Sequence, residues 1–383
     1  MIKRQVYIGG TNIITSLGFT TEENFRNILS GTTGVKTGMY DDLYPEEFPA
    51  SLVNSSELLR RSREFSIDQD YTRFEQMIIL SIEDAISRFH VDPRASNTFI
   101  ILSTTKGNIS LLKNSRGFAE DRVHLWKSAH AIGTYFDSFH KPLVISNACV
   151  SGVMALIAAQ RLIKTDCFRD VIVCGCDELS EFIVSGFQAF FSLSKDVCKP
   201  FDKERSGLSL GEGAATMILT SNKAMFDEPT IEITGGSGSN DANHISGPSR
   251  TGEGLYIAIN DVMKGKTDLD FISAHGTATA YNDDMESIAF SRSGLSHIPV
   301  NSYKGYIGHT LGAAGVIESV LCFETMRNDL LVKSYGFTNP GTTEKLEVID
   351  KNRAHSVRRV LKTASGFGGS NAVILFEKKR WIS

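Results

Sequence analysis

The segment between residues 143 and 175 most constrains the fold. L-V-I-S (143–146) is strand-like and runs into the small-residue turn N-A-C-V-S-G. From 150 to about 164 the chain has helical length but almost no polar face: Val153, Met154, Leu156, Ile157, Ala158, Ala159, Leu162 and Ile163 surround it. A helix of that kind has to be buried. D-V-I-V-C-G (170–175) then reads as a second strand. Two strands joined by a buried helix predict a covered, mostly parallel α/β sheet.

The second half of the chain repeats this logic. D-F-I-S-A-H (270–275) and I-P-V-N-S (298–302) read as strands, and a second apolar helix from about 311 to 327 opens in L-G-A-A-G. A composition shift near 222–230 separates two expected halves, 1–225 and 226–383, and the similar helix starts suggest a duplication. Residues 2–9 read as a strand. Thr20 or Thr21 caps a helix that Gly31 ends, 71–90 forms one long helix, and 98–105 another strand. The polar stretch 40–66 reads as surface loop. The chain closes in a strand, the Gly-rich turn G-F-G-G-S-N (366–371) and a last strand.

Composition excludes several functions. The formal net charge of -4 argues against nucleic-acid binding, which favours a basic excess. No run has the apolar length of a membrane span. The opening M-I-K-R-Q-V-Y-I-G-G leads straight into a strand without a signal peptide's apolar core. The six cysteines lack metal-ligand spacing, so no metal site is expected. Free thiols in a cytoplasmic protein follow. No Gly run ends as a phosphate-binding P-loop does, so nucleotide binding has no support.

Cys149 stands between a strand and a helix head, where free amide N–H groups carry partial positive charge. That position predicts a lowered thiol pKa and a nucleophile, although position alone equally allows a structural thiol. His275 ends a strand in A-H-G-T-A-T-A, and His309 lies in K-G-Y-I-G-H-T-L-G-A-A-G. Each taken singly suits a loop or core role. A cysteine and two histidines together at strand-to-helix edges form the minimal set for covalent acyl transfer. Lys304 offers a further donor for a developing oxyanion.

In their order these motifs resemble the elongating β-ketoacyl-acyl-carrier-protein synthases of the Cys-His-His type. The motifs are Y-I-G-G-T-N-I-I-T-S-L-G, N-A-C-V-S-G, P-F-D-K-E-R-S-G-L-S-L-G-E-G-A (200–214), S-N-D-A-N-H (239–244), the two histidine boxes and G-F-G-G-S-N. The resemblance implies a thiolase fold, layered αβαβα from two pseudo-duplicated halves. It implies decarboxylative condensation of malonyl-carrier with an acyl group on Cys149, in fatty-acid or specialised lipid, polyene or polyketide synthesis. His275 and His309 would stabilise the enolate. The N–H groups of Cys149 and Phe367 would form the oxyanion hole, with Phe367 also the gating aromatic. Lys304, paired with Glu318, would support His309, and Thr277 and Thr279 would line the pantetheine arm. No cofactor is implied, because substrates ride on the phosphopantetheine arm of an acyl carrier protein. Arg60, Arg61, Arg63, Lys203 and Arg205 are candidates for docking that acidic carrier. A homodimer, or a heterodimer with a related subunit, is expected. The alternatives are a chain-length-setting partner without catalysis and an acyltransferase using the same cysteine. Two departures from the family are Val150-Ser151 after the nucleophile and Lys106 near the expected acyl pocket.

Overall fold

In the computed structural model of the chain, residues 4–226 and 230–379 are described. The buried helix read from 150 to 164 spans Ser151–Lys164, and the second spans Ala314–Asn328 behind a short 3-10 turn, Leu311–Ala313. Both lie between two halves of one 11-stranded sheet.

The halves share one topology. In chain order the first half uses strands Tyr7–Ile14, Thr98–Ser103, Leu143–Ile145, Asp170–Asp177 and Gly213–Thr220. The second uses Ile231–Asn240, Phe271–Ser273, Pro299–Asn301, Arg359–Gly366 and Ser370–Lys378, and the short edge strand Glu347–Val348 beside Pro299–Asn301 is the eleventh. Across the sheet each half runs first, fifth, fourth, second, third. In each, the fifth strand in chain order is antiparallel to both the first and the fourth, while the second is parallel to both its neighbours, the fourth and the third. The sheet is therefore mixed, where the strand-helix-strand unit alone predicted a mostly parallel one. A single registered pair, Tyr7 with Glu232, joins the halves.

Alternation builds the layers. On Asp170–Asp177, Val171 and Val173 face the two central helices, while Ile172, Cys174 and Cys176 face the outer helix Arg73–Arg88. On Ser370–Lys378, Ile374 and Phe376 face inward, while Val373 and Leu375 meet Leu255 and Ile259 of the helix Glu253–Met263. Helix, sheet, helix pair, sheet and helix stack as the five αβαβα layers of the thiolase fold.

Local chemistry agrees with the sequence at most ends. Thr20 caps Thr21–Leu29 through the Glu23 amide, and Thr72 with Glu75 forms a capping box on Arg73–Arg88. Two more readings need correction. The first strand begins at Tyr7 rather than residue 2, with residues 2 and 3 outside the described residues. The stretch 40–66 is not loop: it holds the strand Tyr44–Ser51 and the helix Ser55–Glu64. Its charges sit on the outer face of that helix, while Leu58 and Ser62 are buried, which conceals the period. The boundary expected at 225/226 adjoins 227–229, which lie outside the described residues.

The two central helices cross backbone to backbone. A Cβ on Gly315 would stand 2.4 Å from the Val153 amide nitrogen, and one on Gly152 only 2.7 Å from that of Val316. This contact brings Cys149 and His309, each just upstream of its glycine, to one place. Gly315→Val is expected to destabilise by about 3 kcal/mol, the upper end of overpacking. The denaturation midpoint in guanidinium checks it; an unchanged midpoint would show that the helices can part freely.

Candidate active site

Ala148, with φ 43°, turns the chain sharply before the helix. Ser151 Oγ accepts from the Asn147 amide and donates to the Ala148 carbonyl, closing the turn. Cys149 is left facing the Gly-rich hairpin 366–370. Gly366 lets the hairpin come close there, since a Cβ would stand a tight 3.1 Å from the Cys149 nitrogen. The amides of Cys149 and Phe367 lie close enough to the Cys149 thiol to draw its pKa down.

His309 is placed by its backbone. Its N–H donates to the Ser209 carbonyl at 2.7 Å, and the Gly211 N–H donates to its carbonyl at 3.0 Å. The motif at 200–214 thus docks the histidine loop. Gly308, at φ 67°, lets the loop turn against Leu210.

The Cys149 Sγ and nitrogens of His275 and His309 all lie within 4.8 Å of one another. The rings stand nearly perpendicular, with centroids 5.2 Å apart. His309 Nδ1 accepts the Leu311 N–H at 3.3 Å, so its proton sits on Nε2. That Nε2 is buried and has no hydrogen-bond partner among the described residues. His275 Nδ1 lies 3.4 Å from the Lys304 ammonium, which fixes the same tautomer there. Burial, reinforced by the Lys304 and Lys362 charges, holds both histidines well below their ordinary pKa. Each is a neutral N–H donor. Protonated nitrogens backed by two ammoniums are a poor nest for a metal cation, although three donor atoms converge.

Lys304 Nζ donates to Glu318 Oε1 at 2.7 Å and to the His275 carbonyl at 2.6 Å. The ion pair with Glu318 is as the sequence implied. The histidine it supports is His275 rather than His309, because the latter's inner nitrogen is already engaged by Leu311. Burial alone would raise the Glu318 carboxyl, but Lys304 and Lys362 outweigh it and hold it low. Lys362 was not foreseen. It is wholly buried, 2.5 Å from Glu318 Oε2.

The thiol corrects another expectation. Burial pushes the Cys149 pKa up to about 11, and Asp177 adds to the rise. Lys304 and the two amides pull it down without compensating. Asp177 is itself buried and holds Thr104, Thr105 and Gly312, tying the end of the strand Thr98–Ser103 to the second central helix. Alkylation of Cys149 by iodoacetamide should therefore rise about tenfold per pH unit from about pH 7 to 10. Peptide mass mapping separates it from exposed Cys167. A plateau below pH 8 would mean that the thiolate is already formed.

A cavity of about 350 Å³ opens over these groups, lined also by Thr277, Thr279, Phe367 and His244. Thr277 and Thr279 share a hydroxyl contact of 2.9 Å at its wall. The Phe367 ring stacks on Phe187 and meets Phe190 edge-on, so the helix Glu181–Ala189 and the residue after it form the facing wall. Lys106 is exposed, 5.9 Å over the Phe182 ring, and does not line this cavity.

The five basic candidates do not form one free patch. Arg60, Arg61 and Arg63 lie on Ser55–Glu64 and pair with Glu57, Glu64 and Asp68. Arg205 is folded inward, its side chain 8% exposed, onto Asp284 and the Gly341 carbonyl. Lys203 alone is exposed without such an engagement.

A buried thiol that faces two neutral donors can take up an acyl group and then meet a carbanion made beside it. Joined to this fold, that chemistry defines the thiolase-fold condensing enzymes. The chain belongs to the β-ketoacyl synthase family and is an acyltransferase of that kind. Residues 130–224 match the Beta-ketoacyl synthase, N-terminal domain, and 231–338 the Beta-ketoacyl synthase, C-terminal domain. The chain is 25% identical to 3-oxoacyl-[acyl-carrier-protein] synthase 2 of Rhizobium meliloti, over 98% of this chain and 99% of that one. It is 28% identical to the tetracenomycin polyketide synthase ketoacyl synthase alpha subunit of Streptomyces glaucescens, over 81% and 82%. The solved ishigamide ketosynthase/chain length factor superposes with a TM-score of 0.87 at 22% identity, covering 98% of this chain and 100% of that one. A ketosynthase in complex with its chain length factor from Xenorhabdus doucetiae gives 0.82 at 24%, covering 98% of each. Among the described residues no helix is long and apolar enough to cross a membrane.

Proposed function

We propose that Cys149, His275 and His309 carry out the two half-reactions of a β-ketoacyl-carrier synthase. In the first, the Cys149 sulfur attacks the thioester of an acyl-carrier. The carrier's thiolate leaves and takes a proton, in balance with the one the cysteine loses. The Cys149 and Phe367 amides stabilise the tetrahedral oxyanion. In the second, malonyl-carrier loses carbon dioxide. The electrons of the broken bond form an enolate, whose oxygen accepts from His275 Nε2 and His309 Nε2. Its carbon attacks the acyl-cysteine, a carbon–carbon bond forms, and the cysteine leaves and regains a proton.

The observation that carries this reading is the unpartnered, buried Nε2–H of His309 beside the thiol. An enolate forming within hydrogen-bond reach would satisfy it, and each such donor is worth about 3 kcal/mol in the transition state. No cofactor takes part in this scheme. Thr277 and Thr279 border the path of the pantetheine arm, and Phe367 gates the thiol. A catalytic role for this chain, rather than a chain-length-setting one, follows from a complete Cys-His-His set. The half-exposed edge strand Leu143–Ile145, just ahead of the nucleophile, suits pairing with a second copy or a related chain. The carrier is an acyl carrier protein, and the setting is the cytoplasm.

The test incubates the protein with malonyl-carrier and a panel of acyl-carriers, following carbon dioxide and product mass. The expected product is a β-ketoacyl-carrier two carbons longer than the primer. No carbon dioxide from any pairing overturns the reading.

A further inference from the structure

Alternation puts Lys362 in the middle layer. Val360 and Ala364 flank it on Arg359–Gly366, and both belong to the apolar cluster between the sheet halves. Its Nζ donates to the Thr363 carbonyl at 2.7 Å and to the Ala274 carbonyl at 3.2 Å, with the Ser273 carbonyl at 3.4 Å. It also stands 2.5 Å from Glu318 Oε2, while Oε1 of the same carboxylate holds Lys304. Two ammoniums share one carboxylate, and both grip residues 273–275.

Charge balance gives no reason for the second ammonium. An unpaired buried charge is costly, but Glu318 already has Lys304 as its counter-ion. Taking Lys362 away would leave a one-to-one pair in a row of apolar side chains. What Lys362 adds is position and charge. Its charge faces the second oxygen of Glu318 at 2.5 Å, and through that carboxylate it bears on the Lys304 ammonium that touches His275. It anchors the carbonyls just ahead of His275, and it places positive charge behind both donors.

We infer that Lys362 is a positioning residue for the decarboxylating half-reaction, acting through Glu318, Lys304 and the strand end that carries His275. The inference rests on the condensing reading above. The loading half-reaction uses Cys149 and the amides of Cys149 and Phe367, none of which Lys362 contacts; it reaches the thiol only through the Lys304 charge. The two halves should therefore separate when it is changed.

The experiment compares wild type with Lys362→Met, which keeps length and loses the charge. Acyl loading is read as the mass of the intact protein after incubation with acyl-carrier. Decarboxylation is read as carbon dioxide from malonyl-carrier. Thermal unfolding serves as a control on the fold. Loading should stay within about threefold, while carbon dioxide release falls about 10- to 100-fold, as when an outer partner of an active-site group is removed. The melting temperature should stay at or above that of wild type. Equal loss in both halves, or no loss in either, overturns the inference. If Lys362→Met does not fold, Lys362→Gln keeps a donor for the Thr363 carbonyl and is read in the same way. Failure of both variants to fold makes Lys362 a structural residue and also overturns it. A wild-type protein that releases no carbon dioxide instead sinks the condensing reading itself.

Discussion

Cys149→Ala is expected to acquire no acyl mass from any acyl-carrier and to lose condensation by at least about 10⁴-fold, as removal of a covalent nucleophile does. The loss should be selective. The donors His275 and His309 and the pair Lys304–Glu318 remain, so malonyl-carrier can still lose carbon dioxide. With no acyl-cysteine to attack, the carbanion takes a proton, and acetyl-carrier accumulates in place of the extended chain. Simultaneous measurement of carbon dioxide, acetyl-carrier and β-ketoacyl-carrier distinguishes this from collapse of the site. The fold should hold, because the change removes one buried sulfur at a position fixed by Asn147, Ser151 and Gly366. Persisting condensation at the wild-type rate would end the case for Cys149. Lost acyl uptake without any carbon dioxide release would instead point to an acyltransferase.

Much of this site was legible because its main parts follow local rules. A strand, a small-residue turn and an apolar helix specify where Cys149 stands, and the second such unit does the same for His309. What brings them together is not local. The Gly152–Gly315 crossing is a contact between helices from opposite halves, and each glycine reads in sequence as only one more small residue. The thiol pKa was misjudged for a related reason. Position at a helix head is visible in a sequence, but full burial and the approach of Asp177 are not. The acidic partners of the docking candidates were not read because a sequence displays charge without its partners, although Glu57 lies within one helical turn of both Arg60 and Arg61. Lys362 did leave a signal. In V-L-K-T-A the lysine falls at an inward position of a buried strand, where a charge requires a reason. Lys304 turning to His275 instead of His309 left none, because it depends on the Leu311 amide having reached His309 first.

His309→Phe is expected to reduce carbon dioxide release from malonyl-carrier by about 10²- to 10³-fold, the effect of removing one oxyanion donor. Acyl loading of Cys149 should change by no more than a few fold, since the oxyanion of that step faces backbone amides. Phenylalanine keeps a ring against Phe187 and His275, where the centroid distances are 6.4 and 5.2 Å. Two opposing changes then act on stability. The wild-type Nε2–H is a buried donor without a partner, and a group of that kind costs about 1–3 kcal/mol. The substitution removes it but deprives the Leu311 N–H of its acceptor. The two nearly cancel, so the net stability change should stay within about 1 kcal/mol. A large loss of decarboxylation at nearly constant stability identifies a donor held ready at a cost to the folded state. Carbon dioxide release at the wild-type rate would mean that His275 alone carries the enolate charge and that the orphaned nitrogen serves no oxygen of the substrate.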